Sequence, residues 1–317
     1  MKNKIWMFVS LFLMITLIAC SNSEDSEDTS SDDNTEESSS EERTLEHASG
    51  EVTIPANPER VIAPYLEDSL TALGVTPAAQ WSIGESVLDY LQPELEDVPT
   101  ISWDLPLEQT LEADPGLIIF SSPSSLQNGS YEDYEQIAPT YVMDAETNAD
   151  WREQLTQMGE ILNKQEEAEQ ALTDFDDLTA NMKESLQEAI GDESVAFIWT
   201  MGEEFYVFEP TRYGAEVLYE EVGLTQPEFI KNLEQEEQWN PMSLEKLSEL
   251  DADHVFLIGE ENEPGFEVLD NSSVWQNVPA VENDHVYVMN DPSHWTIDGV
   301  IAHEMTLKKV NEALTNE

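Results

Sequence analysis

The run at positions 165–191, QEEAEQALTDFDDLTANMKESLQEAIG, constrains this chain more than any other stretch. Ala168, Ala171, Leu172, Phe175, Leu178, Met182, Leu186 and Ile190 recur at intervals of three and four. That spacing puts one apolar stripe on an α-helix and leaves acids and amides around the rest. No proline interrupts the run, and Gly191 suits the left-handed position just past a helix end. A helix of this length extends about 40 Å, enough to cross a whole domain. The segments on its two sides resemble each other, so it reads as a rigid spine joining two lobes.

A chain of 317 residues holds two domains of ordinary size. Its 68 acids against 12 bases give a formal net charge of −56, which repels nucleic acid and anionic membrane surfaces. The bland reading of that charge is a solvated surface suited to high salt or alkali. At the N-terminus, Lys2 and Lys4 precede an apolar run at 5–18 that ends in Leu17-Ile18-Ala19-Cys20, with Cys20 the single cysteine. The run is short for a membrane span and has the flanks of a signal peptide. It resembles the lipobox of bacterial lipoproteins, which implies that Cys20 is lipidated and becomes the mature N-terminus. With no second cysteine, intrachain disulfides and thiolate metal sites are excluded.

The divisions follow: a leader at 1–20, a Ser/Asp/Glu-rich tether at 21–44, an N-terminal α/β lobe at 45–163, the interdomain helix at 164–191, and a C-terminal α/β lobe at 192–317. In the first lobe, strands are expected at 50–55, 61–63, 75–81, 117–120 and 141–143, with helices at 69–73, 107–114 and 150–162. In the second, strands are expected at 194–200, 205–208, 255–258 and 286–289, with helices at 215–222, 244–250 and 301–314. Short apolar strands alternating with helices predict parallel, helix-covered sheets. An internal echo supports the duplication. Leu107-Glu108, Glu112 and Asp114 stand before one buried strand as Leu244-Glu245, Glu249 and Asp251 stand before another, at a shift of 137.

Several pieces, in order, resemble the periplasmic-binding-protein family that captures ferric siderophores and vitamin B12 for ABC importers. They include Pro58-Glu59-Arg60-Val61-Ile62, Leu73-Gly74-Val75-Thr76-Pro77, Ile137-Ala138-Pro139-Thr140, Ser243-Leu244-Glu245-Lys246-Leu247 and Trp275-Gln276-Asn277-Val278-Pro279. One departure is Asp114-Pro115-Gly116, where the family usually carries Pro-Asp. The resemblance implies two Rossmann-like lobes on a single spine helix, a class III-type binding protein, with the ligand between the lobes. It further implies one glutamate per lobe, Glu108 and Glu245, that pairs with arginines of the permease. It also implies a monomer tethered by lipid to the outer face of the cell membrane, whose partners are an ABC permease and its ATPase.

A cleft of this kind needs aromatic walls and a few placed polar groups. The candidates are Tyr65, Trp81, Trp103, Trp239, His294 and Trp295, with Arg212 and Lys231 as cations. Trp199, inside a strand, reads as core, and Ser121-Ser122-Pro123-Ser124-Ser125 reads as a polar cleft loop. So few available bases favour a neutral or cationic ferric hydroxamate over a polyanionic complex, with iron bound through the siderophore and no other cofactor. Ferric citrate stays open through Arg212, Lys231 and Arg152; heme and cobalamin are alternatives. Direct capture of a bare divalent metal is a further rival, for which His294 with Asp298 or His303-Glu304 are the suggestive sets. An enzyme is not expected: Gly-x-Ser-x-Gly, His-Glu-x-x-His and phosphate-binding glycine loops are all missing.

Overall fold

The structure, a computed structural model, describes residues 42–233 and 240–315. The leader, Cys20 and Trp239 lie outside the described residues. Strands β1 (Glu42–His47) and β2 (Gly50–Pro55) form an antiparallel hairpin, Leu45 opposite Val52, that turns at Gly50 (φ 133°). The strand β1 thus includes residues 42–44, which were expected to be tether. Arg43 supplies a physical reason, because its guanidinium donates to the Glu160 and Ile161 carbonyls at 2.8 and 2.7 Å. Those carbonyls belong to the last turn of the helix Trp151–Leu162, where a cation suits the helix dipole.

In the first lobe, β3 (Val61–Ile62), β6 (Leu117–Phe120) and β7 (Thr140–Val142) are parallel, in the order β3-β6-β7. Beside them β4 (Gln80–Ser82) and β5 (Thr100–Ser102) make a second parallel pair. The strand expected at 75–81 is therefore shorter and later. Pro77 has no N–H for a ladder, and Val75 and Ala78 donate instead to the Leu70 and Val61 carbonyls. Gly116 leaves no room for a side chain, since a Cβ there would fall on the Glu59 carbonyl. This accounts for a glycine where the local pattern departs from the family.

The second lobe is one five-stranded sheet in the order β10-β9-β8-β11-β12. Its parallel core is β8 (Val195–Met201), β11 (His254–Ile258) and β12 (Val286–Met289). The strands β9 (Glu204–Val207) and β10 (Asn240–Met242) extend it antiparallel. The helix expected at 215–222 starts at Tyr213, widens to a π-helix over Val217–Val222 and stops at Gly223 (φ 86°).

The spine is a helix at Gln165–Ile190, and it buries Ala168, Phe175, Thr179, Leu186 and Ile190 from the expected face. It packs between the helix Trp151–Leu162 and the closing helix Val300–Thr315. One apolar cluster runs from Val61, Leu70 and Ile119 through Phe175 to Phe197, Phe256 and Leu307. The lobes share this core with the spine, so a large hinge motion would expose buried apolar surface.

Candidate ligand-binding cleft

The carboxyl ends of parallel strands are where α/β sheets bind ligands, and the aromatic candidates divide between two such ends. In the first lobe Tyr65 follows β3 in a left-handed conformation (φ 66°), which turns its ring outward to 43% exposure. Its ring lies 4.8 Å from that of Trp81, tilted by 57°. Trp81 is 8% exposed, so it backs Tyr65 more than it meets solvent. Trp103, 37% exposed, follows β5 and donates its backbone N–H to the Ser82 carbonyl at 2.9 Å. Together Tyr65, Trp103, Ser121, Ser124, Ser125 and Gln127 enclose a cavity of about 150 Å³ with Phe120 at its side.

Sequence reasoning missed what lies beneath this wall. Glu67 is buried and accepts the Trp81 N–H at 2.8 Å, and burial pushes its carboxyl up to about 7. Asp68 is buried beside it; burial raises it to about 6, against the pull of donors from Ala302, Tyr90 and Ile301. Two adjacent acids at a helix start look like ordinary first-turn acids, so no sequence signal set them apart.

In the second lobe Trp199 and Tyr206 stand opposite each other across β8 and β9, rings 5.8 Å apart, and both are half-buried. Trp199 is thus less enclosed than its strand position suggested. Arg212 precedes the helix at Tyr213. Its guanidinium donates to the Tyr213 hydroxyl at 2.9 Å, pairs with the buried Glu209 at 3.4 Å, and lies 4.7 Å over the Tyr213 ring. Burial raises the Tyr65 phenol, and the fields of Glu67 and Tyr213 add to that rise.

Two expectations are corrected. Trp295 is 1% exposed and packs on Phe197, Phe256 and Phe208 at 5.9, 6.4 and 6.5 Å, so it is core and not cleft wall. His294 is buried beside it, bonded through Nδ1 to the Thr306 hydroxyl at 3.0 Å, and burial lowers it to about 4. Lys231 sits exposed on a four-residue helix and pairs with Glu228 at 2.7 Å. Among the other candidates, Arg152 is engaged by Asp176 and Glu221 at 2.8 and 2.7 Å. His303 is buried against Trp151 at 5.1 Å, not set on the surface, and burial lowers it to about 3. Among the described residues, no three His, Cys, Asp or Glu side chains gather as metal ligands.

Glu108 and Glu245 occupy equivalent places. Each is exposed in the first turn of a short helix, Leu107–Glu112 or Leu244–Leu247, that leads into a buried parallel strand of its lobe.

Comparison with known proteins agrees with this architecture. The iron(3+)-hydroxamate-binding protein FhuD of Bacillus subtilis is 28% identical over 97% of this chain and 96% of its own. The probable siderophore-binding lipoprotein YfiY of the same organism is 28% identical over 98% of each chain. A crystal structure of a periplasmic binding protein component of a Fep/Fec-like ferrichrome ABC transporter from Bacillus subtilis superimposes with a TM-score of 0.70. That structure is 25% identical and covers 86% of this chain and all of its own. A family model described as periplasmic binding protein matches residues 66–292. The chain belongs to the periplasmic binding protein family, and is a solute-binding protein rather than an enzyme.

Proposed function

We propose that this protein captures a ferric siderophore between its lobes and delivers it to an ABC permease driven by an ATPase. The observation that carries this reading is that each lobe carries its own aromatic wall near its strand ends. Tyr65 and Trp103 form the one in the first lobe, and Trp199, Tyr206 and Tyr213 the one in the second, beside the Arg212 guanidinium. Such walls grip a bulky, preformed chelate by stacking and need no direct bond to the metal. Relatives named for ferric hydroxamate and siderophore binding support the class. Arg152 and Lys231 are already paired with carboxylates, which weakens the case for ferric citrate and favours a neutral or cationic hydroxamate complex.

In this reading Cys20 carries a lipid that holds the protein at the outer face of the membrane, and the protein acts as a monomer. Glu108 and Glu245 steer the loaded protein onto the permease, two carboxylates on separate lobes fixing its orientation. Titration of the purified full chain with ferrioxamine B, ferrichrome, ferric citrate, heme, cobalamin and free Mn²⁺ or Zn²⁺ tests it, read by tryptophan quenching. Saturable quenching by a ferric siderophore, and none by its iron-free form, is expected. Binding of the bare metals alone would overturn the proposal.

A further inference from the structure

The loop after β6 carries Ser121, Ser122, Ser124 and Ser125, whose hydroxyls bond mainly to one another. Ser121 meets Ser125 at 2.9 Å, Ser122 meets Ser124 at 2.8 Å, and Ser122 meets Ser125 at 3.2 Å. Each hydroxyl has one proton to donate and two lone pairs to accept with. Three bonds use most of the protons but less than half of the lone pairs. The circuit therefore faces its surroundings as a net hydrogen-bond acceptor.

Ser121, Ser124 and Ser125 of this circuit line the 150 Å³ cavity together with Tyr65 and Trp103. Among the described residues, no charged side chain lines that cavity. Ligand pockets that take a whole drug-sized molecule are about 300–1,000 Å³. The cavity suits one arm of a chelate and not the chelate itself. Acceptor oxygens bind N–H donors, and aromatic faces attract cations. A carboxylate or phenolate oxygen entering here would find only the Gln127 amide N–H and a spare hydroxyl proton, and no cation to neutralise it.

We infer that Ser121, Ser124 and Ser125, with Gln127, form a subsite for an N–H-bearing arm of the ligand, an amide or an ammonium. The same subsite selects against anionic complexes. The inference rests on the siderophore reading above and adds residues that decide which siderophores are taken.

The test measures affinities of the purified full chain and its variants for ferrioxamine B, ferrichrome and ferric citrate. Ser121→Ala with Ser125→Ala removes the donor-binding oxygens and keeps the aromatic walls. Its affinity for both hydroxamate complexes should fall about tenfold or more, as the loss of two hydrogen bonds implies, and its affinity for ferric citrate should not fall. Ser125→Thr restores a hydroxyl and should bind as the wild type does. Ser124→Lys places a cation on an exposed position and should weaken ferrioxamine B while tightening ferric citrate. Unchanged hydroxamate affinity in the double alanine variant, or an unchanged preference in Ser124→Lys, would overturn the inference and leave the siderophore reading intact. A wild-type chain that binds none of the three complexes would instead remove the reading on which the inference rests. Circular dichroism checks that the double variant folds; if it does not, Ser124→Lys decides.

Discussion

The carboxylate of Asp68, in the first lobe, accepts the backbone N–H of Ala302 at 2.9 Å, in the first turn of the closing helix. Ile301 N–H donates to the same carboxylate at 3.1 Å and the Tyr90 hydroxyl at 2.9 Å. A residue more than 230 positions away in sequence thus does the work that a local Ser, Thr or Asp does at most helix starts. The closing helix has no such residue of its own: Gly299 precedes it, and a Cβ there would fall on the Asp68 carboxylate. Asp68 lies only three residues beyond the exposed Tyr65.

Replacing Asp68 with Ala should strand two helix N–H groups and a buried tyrosine hydroxyl. We expect a loss of about 2–4 kcal/mol, with Gly299→Ala losing at least 1 kcal/mol by overpacking the same contact. Urea denaturation of the two variants measures both. A Gly299→Ala variant as stable as the wild type would show that the carboxylate is not confined.

Glu67 sets a pH dependence of definite sign. A carboxyl raised to about 7 holds its proton more tightly folded than unfolded. The stability it contributes is complete below about pH 4 and is lost as pH rises toward 7. The variant Glu67→Gln keeps an acceptor for Trp81 N–H but no longer titrates. Relative to the wild type it should gain stability between pH 5 and pH 8, by roughly 3 kcal/mol at most. His303 works in the opposite sense: lowered to about 3, it stabilises above about pH 6.5 and loses that contribution as pH falls. Thermal melts at several pH values, wild type against each single variant, separate the two.

Arg152 joins three parts of the molecule. It pairs with Asp176 of the spine and Glu221 of the second lobe, and its guanidinium lies 4.5 Å over the Trp151 ring. Asp176 is well exposed, so salt screens that pair and the net value is modest. Arg152→Ala should cost about 1 kcal/mol at low salt, and the difference should shrink in 1 M salt, where the Debye length is about 3 Å. An undiminished difference at high salt would assign the effect to packing on Trp151.

Glu108 and Glu245 are exposed and, among the described residues, make no side-chain hydrogen bond or ion pair. Replacing both with Ala should leave stability and ligand affinity within experimental error, because no internal partner is lost. Uptake by cells carrying the permease should fall severely. A parallel fall in affinity would place these residues in the cleft or the fold instead of at the docking face.

Much of this architecture was written in local pattern. The spine is legible because Ala168, Phe175 and Leu186 keep one period over seven turns, and Gly191 ends it. The duplicated lobes are legible because each buried strand follows the same Leu-Glu helix start, at 107 and at 244. Tyr65 and Trp103 are legible as exposed aromatics because loops at strand ends keep large rings at the surface.

Burial and long-range pairing are a different matter, because both depend on which distant segments meet. Trp295 and His294 follow a strand end just as Tyr65 does, yet they end up in the core because Phe197, Phe256 and the closing helix close over them. Strand 75–81 was shortened by the carbonyls that Val75 and Ala78 found elsewhere. Asp68 is one acid among 68 in the sequence. It becomes a helix cap only because the fold carries residue 302 to it, and desolvation then raises its proton affinity. Periodicity, length and punctuation are properties of neighbouring residues, so the sequence alone determined the spine, the two-lobe plan and the acidic character of the chain. Solvent exclusion is a property of the assembled molecule, and it decided which aromatics stay exposed and which carboxylates are buried.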